Sequence, residues 1–191
     1  MQVDISFAKP IGPYSNPINW IPPTYCHVEV SYHTSAAQFR KYLEEAKEIG
    51  HAPAELEQLQ KRIKNFSGKL IVCFFINWGD TVSVRYLSEL IDNAYLRPPE
   101  APVYNVVPLS MELEQVEKMT MFYLKHVGKS YDYTRAILSL FPFTLRETTL
   151  DRFYCAQLVM HSLKAAGMEF DVNMDHVSPL CVYTMLNKIK S

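Results

Sequence analysis

The chain has 191 residues, 48% of them hydrophobic and 20% charged, which suits one well-packed domain and is short for two. Its net charge of −1 gives no reason to expect nucleic-acid binding. Four cysteines, at positions 26, 73, 155 and 181, lack both CxxC spacing and the density of a secreted disulfide scaffold, so a reducing, intracellular, cytoplasmic setting is expected.

Residues 1–7 lack a basic n-region and a long apolar stretch, and no apolar run elsewhere approaches the ~20 residues of a membrane span. The expectation is a chain with neither signal peptide nor transmembrane segment. Pro10, Pro13, Pro17, Pro22 and Pro23 mark residues 9–23 as an irregular arm. Residues 24–33 alternate as a strand does, with His27, Glu29, Ser31 and His33 on one face and Cys26, Val28, Val30 and Tyr32 on the other. Helical stretches follow at about 35–49 and 53–65, the second with Pro53 at its start. Both are charge-rich, which reads as a solvated helical hairpin or as a partner surface.

The short apolar run 70–76 predicts a buried strand, residues 77–80 a turn, and 81–86 its hairpin partner. A further strand is expected at 103–109 and a helix from about 111 to 126. Residues 136–145 are apolar, as core packing or as a wall facing an acyl chain or a membrane. The run from Phe153 to Gly167 has helical spacing of apolar residues with Gly167 as C-cap, and a terminal amphipathic helix follows Pro179. Repeats and long linkers are absent, so the expectation is a single α+β domain.

Cys155 lies on the first turn of its predicted helix. Unpaired N–H groups and the dipole at a helix start favour an anion, so a thiol there tends toward the nucleophilic thiolate. The competing reading is an inert, buried cysteine. His27, on a strand face with three other polar residues, is the best source of a base, and thiol plus imidazole form the minimal pair for thiolate–imidazolium catalysis. Glu29 shares that face and is the expected orienting group, with Asn77, Asp80 and Ser83 as alternatives. His33 is a rival base at the strand's far end. The N–H of Cys155 would serve as the first oxyanion donor. Cys26, Cys73 and Cys181 read as structural. The Gly128-Lys129-Ser130 run lacks the leading glycine and the preceding strand of a phosphate-binding loop. Metal-ligand spacing is also missing, and no cofactor is expected.

Four stretches carry a family resemblance: Cys26-His27-Val28-Glu29-Val30, Gly128-Lys129-Ser130-Tyr131-Asp132-Tyr133, Phe153-Tyr154-Cys155-Ala156-Gln157-Leu158-Val159 and Val177-Ser178-Pro179-Leu180. Together they resemble the circularly permuted branch of the NlpC/P60 papain-like superfamily, in which the histidine strand precedes the cysteine helix. Members occur in bacteria and large DNA viruses. The resemblance implies an α+β papain-like fold, a small antiparallel sheet packed with helices, with residues 34–68 as a helical insertion. It further implies a thiol hydrolase or acyltransferase, with Cys155 as nucleophile, His27 as base and a peptide-like amide or lipid acyl group as substrate. Tyr131, Tyr133 and Tyr154 would line the substrate cleft, and contact with a membrane surface fits the lipid case. The family more often has Ser then Glu where this chain has Ala156 and Gln157. A catalytically silent module that binds a protein or lipid, such as a viral structural component, is the alternative.

Overall fold

The computed structural model describes residues 1–8, 25, 27–50, 53–76, 80–88, 104–139 and 151–190. The predicted irregular arm at 9–23, the turn residues 77–79, Cys26 and most of the apolar run 136–145 lie outside these residues. A five-stranded, wholly antiparallel sheet forms the centre, in the order β4-β3-β2-β1-β5. Its strands are β1 (Gln2–Ala8), β2 (His27–Ser35), β3 (Lys69–Phe75), β4 (Ser83–Ser88) and β5 (Tyr104–Ser110). Among the described residues six α-helices accompany it: α1 (Ala36–Glu48), α2 (Ala54–Ile63), α3 (Leu113–His126), α4 (Tyr133–Leu138), α5 (Cys155–Ala165) and α6 (Pro179–Lys190). The two-residue strands β6 (Ser130–Tyr131) and β7 (Arg152–Phe153) make a small parallel pair.

The α+β class and the small antiparallel sheet agree with the sequence reading. The N-terminal segment differs from what was drawn from it: considered above only as a leader, it is β1, hydrogen-bonded between β2 and β5. Its alternation explains why. Val3, Ile5 and Phe7 are fully buried, while Gln2, Asp4 and Ser6 face the other way. In register they meet Tyr32, Val30 and Val28 of β2, so one apolar face runs across the sheet.

That face is covered by α3 and α5 through specific contacts. The Phe74 ring of β3 stacks on Tyr123 of α3, with centroids 4.5 Å apart and planes inclined by 3°. Tyr32 reaches Thr120 of α3 through a 2.7 Å hydroxyl hydrogen bond, and the Tyr123 hydroxyl pairs with Ser162 of α5 at 3.1 Å. Buried hydroxyls satisfied in this way avoid the ~1–3 kcal/mol penalty of an unpaired polar group. They also fix the rotation of α5 about its axis. At its end, Gly167 takes φ +89°, and its N–H and that of Met168 bond back to Lys164 and Leu163 carbonyls at 2.8 and 3.1 Å. This is the glycine-capped stop that the sequence predicts.

The 34–68 segment forms α1 and α2 after the end of β2. Ser35 caps α1 by accepting from the Gln38 N–H at 3.0 Å. Arg40 donates from Nη1 to the Ile63 and Phe66 carbonyls at 2.9 and 2.7 Å, tying α1 to the end of α2. Phe39, Leu43, Leu56 and Ile63 are buried, so the hairpin has an apolar inner side as well as a charged outer one.

Because Phe74 joins the sheet to α3, and through Tyr123 to α5, Phe74→Ala is expected to lower the unfolding free energy by about 3–5 kcal/mol. Urea unfolding of wild type and variant checks this.

Candidate active site

Cys155 is the first residue of α5 and is 5% exposed. Tyr154 precedes it in extended conformation, and no side chain caps this helix start. The approach to the thiol is held on its other side by backbone bonds. Tyr131 pairs with Phe153 in the β6–β7 ladder, and the Asp132 N–H donates to the Phe153 carbonyl at 2.8 Å. Residues 80–82 add to this clasp: Tyr131 N–H donates to the Asp80 carbonyl at 3.1 Å and Val82 N–H to the Lys129 carbonyl at 2.8 Å. The turn after α3 therefore sets where α5 begins.

Tyr131 is buried. Burial, followed by negative charge on nearby Cys155, pushes its phenol well above the usual range, so the hydroxyl stays protonated at neutral pH. Tyr133 leads α4 at 41% exposure, with its ring centroid 5.2 Å from that of Tyr131. Asp132 caps α4 by accepting from the Arg135 N–H at 3.0 Å. Tyr131 thus lies beside the thiol and Tyr133 beside Tyr131. Tyr154 is different: its ring is 1% exposed and its hydroxyl accepts from the Val177 N–H at 3.0 Å. That side chain sits in the core, fastening the segment before α6.

His27 is the first residue of β2. Its side chain is 18% exposed, and Nε2 is buried with no hydrogen-bond partner among the described residues. Nε2 lies 3.8 Å from Oε2 of Glu29, an ion-pair distance rather than a hydrogen bond. Burial lowers the imidazole's pKa, but the side chains of Cys155 and then Glu29 raise it more strongly, to about 9. The imidazolium is therefore the prevailing form at neutral pH.

Arg85 of β4 was passed over in the sequence as one residue of an alternating strand. In the fold its Nη2 is 3.3 Å from the same Glu29 oxygen, and its guanidinium carbon is 4.6 Å from the Phe75 ring centroid. Hairpin alternation was the available signal. Register places Arg85 opposite Cys73, and Cys73 opposite Ser31, on the polar face of the sheet. Cys73 itself is inert. Burial and the nearby Glu29 carboxylate push its thiol up to about 12.

The remaining candidates lie apart from this centre. His33 is exposed toward the opposite end of β2, and His161 packs against the Phe122 and Phe153 rings. Asp80 accepts from the Thr81 N–H within its own turn. Ser83 donates to the Thr81 carbonyl. Asn77 is outside the described residues. Ala156 and Gln157 are both fully buried. A neutral amide at 157 avoids the larger desolvation penalty of a buried carboxylate.

No known protein family, curated protein or solved structure matches this chain. Among the described residues no helix is long and apolar enough to cross a membrane.

The raised histidine has a consequence for stability. Its folded pKa of about 9 exceeds the ordinary 6.5, so its stabilising contribution is complete below about pH 6.5 and is lost as pH rises through 9. The stability difference between wild type and His27→Ala is therefore expected to shrink across that window in urea titrations at stepped pH. Glu29→Gln, which removes the negative charge, is expected to bring the His27 midpoint down from about 9, as read from its ring-proton chemical shifts.

Proposed function

We propose that this chain is a cysteine-dependent hydrolase or acyltransferase of permuted NlpC/P60 papain-like type, acting on an amide or ester carbonyl. The observation that carries this reading is the meeting of Cys155, first residue of α5, with the His27 imidazole at the start of β2, backed by Glu29. A helix start, an adjacent imidazolium and a carboxylate behind it are the three requirements of an activated thiol.

In the proposed reaction the Cys155 thiolate attacks the carbonyl carbon, forming a C–S bond and moving the π electrons onto oxygen. Backbone N–H groups at the start of α5, that of Cys155 first, stabilise this oxyanion. Collapse expels the amine or alcohol, which takes its proton from the His27 imidazolium, and leaves a thioester. Neutral His27 then removes a proton from water or another acceptor, whose attack releases the acyl group and restores thiolate and imidazolium. Glu29 orients the imidazole and stabilises its charged form throughout. Tyr131 and Tyr133 would meet the substrate on the nucleophile's side, where aromatic faces suit a peptide-like or acyl chain.

A second reading, a catalytically silent binding module, draws on the open, charged cleft between α1 and α2, lined by Arg40, Glu44, Lys47, Glu57, Lys61 and Lys64. The two readings separate in one assay. Incubation with p-nitrophenyl esters of graded chain length and with peptide anilides, followed by intact-mass spectrometry, is expected to reveal an acyl adduct on Cys155. Cys155→Ala is expected to abolish turnover, and His27→Ala to reduce it by roughly 10²–10⁴-fold while leaving the fold intact. Full turnover in Cys155→Ala would sink the mechanism. Absence of any adduct, together with loss of partner capture on deleting residues 36–64, would favour the binding module.

A further inference from the structure

Two charged side chains from different strands of the sheet converge on one oxygen of a third. Oε2 of Glu29 stands 3.3 Å from Arg85 Nη2 and 3.8 Å from His27 Nε2. Glu29 and His27 are neighbours on one face of β2, whereas Arg85 projects from β4 and must cross β3 to reach them. It does so over the Phe75 ring, 4.6 Å from the centroid, with Nη2 also 3.9 Å from the Cys73 sulfur. An aromatic face under a guanidinium both attracts the cation and limits its rotamers, so this long side chain is held in the crossing pose. The Glu29 side chain is only 12% exposed, which makes its few partners decisive for where its oxygens point.

We propose that Arg85 is a positioning residue for the His27–Cys155 pair: by holding the shared Glu29 oxygen, it keeps the carboxylate from closing onto His27 Nε2. This inference rests on the thiolate–imidazolium reading and adds a fourth member to it. A carboxylate fully bonded to the imidazolium would stabilise that cation so well that it would become a poor acid for the leaving group. Restrained at ion-pair distance, Glu29 still orients the ring and supports its charge. Other titratable groups around the site include Cys155 from α5, Tyr131 in β6, Tyr123 from α3 and Cys73 beneath Arg85 in β3. Cys73 and Tyr131 both remain protonated near neutrality.

The test follows the His27 ring protons by NMR against pH in wild type, Arg85→Met, Glu29→Gln and the double variant. Arg85→Gln replaces Arg85→Met if the latter does not fold. Released from Arg85, Glu29 is expected to move onto Nε2 and to raise the His27 midpoint by roughly half a pH unit, the size that partly exposed charge pairs allow. In the Glu29→Gln background the same arginine substitution is expected to leave the midpoint where Glu29→Gln alone puts it, because Arg85 acts through the carboxylate. An unchanged or lowered midpoint in Arg85→Met overturns the proposal, as does an equal rise in both backgrounds, which would mark a simple field effect. The outcome is independent of the parent reading: a wild-type midpoint near 6.5 would count against the Cys155–His27 pair itself, whereas a midpoint near 9 that ignores Arg85 removes only the arginine.

Discussion

The docking of α5 against β2 is the constraint on which the site depends. Cys155 and His27 are separated by most of the chain, and neither has any local reason to meet the other. They meet because each is the first residue of its element and because the two elements are locked by contacts well away from the chemistry. Phe74, Tyr123 and Ser162 form a continuous path from sheet to α3 to α5. The β6–β7 ladder then fixes the start of α5 along its axis. A hydrophobic contact alone would allow α5 to slide or rotate by a fraction of a turn. The hydroxyl pair and the backbone ladder remove that freedom, and thiol–imidazole chemistry tolerates little of it.

Cys155 stands at the inner end of a row of side chains, His27, Glu29 and Arg85, whose charges alternate in sign. Each member faces opposite charge on its neighbours, so partial burial of the row is tolerable where burial of any one charge would not be. The members differ in exposure, from a nearly enclosed Cys155 to an Arg85 side chain 45% exposed. Charge at the outer end is thus screened by water while charge at the inner end is not. Interactions near the thiol are accordingly the stronger ones, and Arg85 governs geometry more than energy.

Most of this was legible in sequence at the level of elements. The alternation of residues 27–33 identified both the strand and its polar face, and the run after Phe153 identified the helix that starts at Cys155 and stops at Gly167. Glu29 was legible as a neighbour of His27 but not as its partner, since side chains two apart on a strand stand side by side. What turns them together is a third residue, Arg85, whose approach depends on the strand order β4-β3-β2, and strand order is not written in local periodicity. The N-terminal strand was legible in principle: Val3, Ile5 and Phe7 alternate with polar residues. Tyr154 shows the reverse limit, because adjacency to Cys155 in sequence places its backbone at the helix cap and its ring in the core.

The two walls of the site have different physical characters, and this bears on how a substrate would be read. On the sheet side stand charged groups already committed to one another, which leaves that wall suited to proton transfer and poorly suited to binding a further ion. On the side of β6 and α4 stand Tyr131, with a hydroxyl kept neutral by burial, and the half-exposed ring of Tyr133. That wall offers aromatic surface with a single polar handle, and its position is set by backbone hydrogen bonds rather than by charge. In the proposed reaction, recognition falls to the side of β6 and α4 and proton transfer to the sheet side.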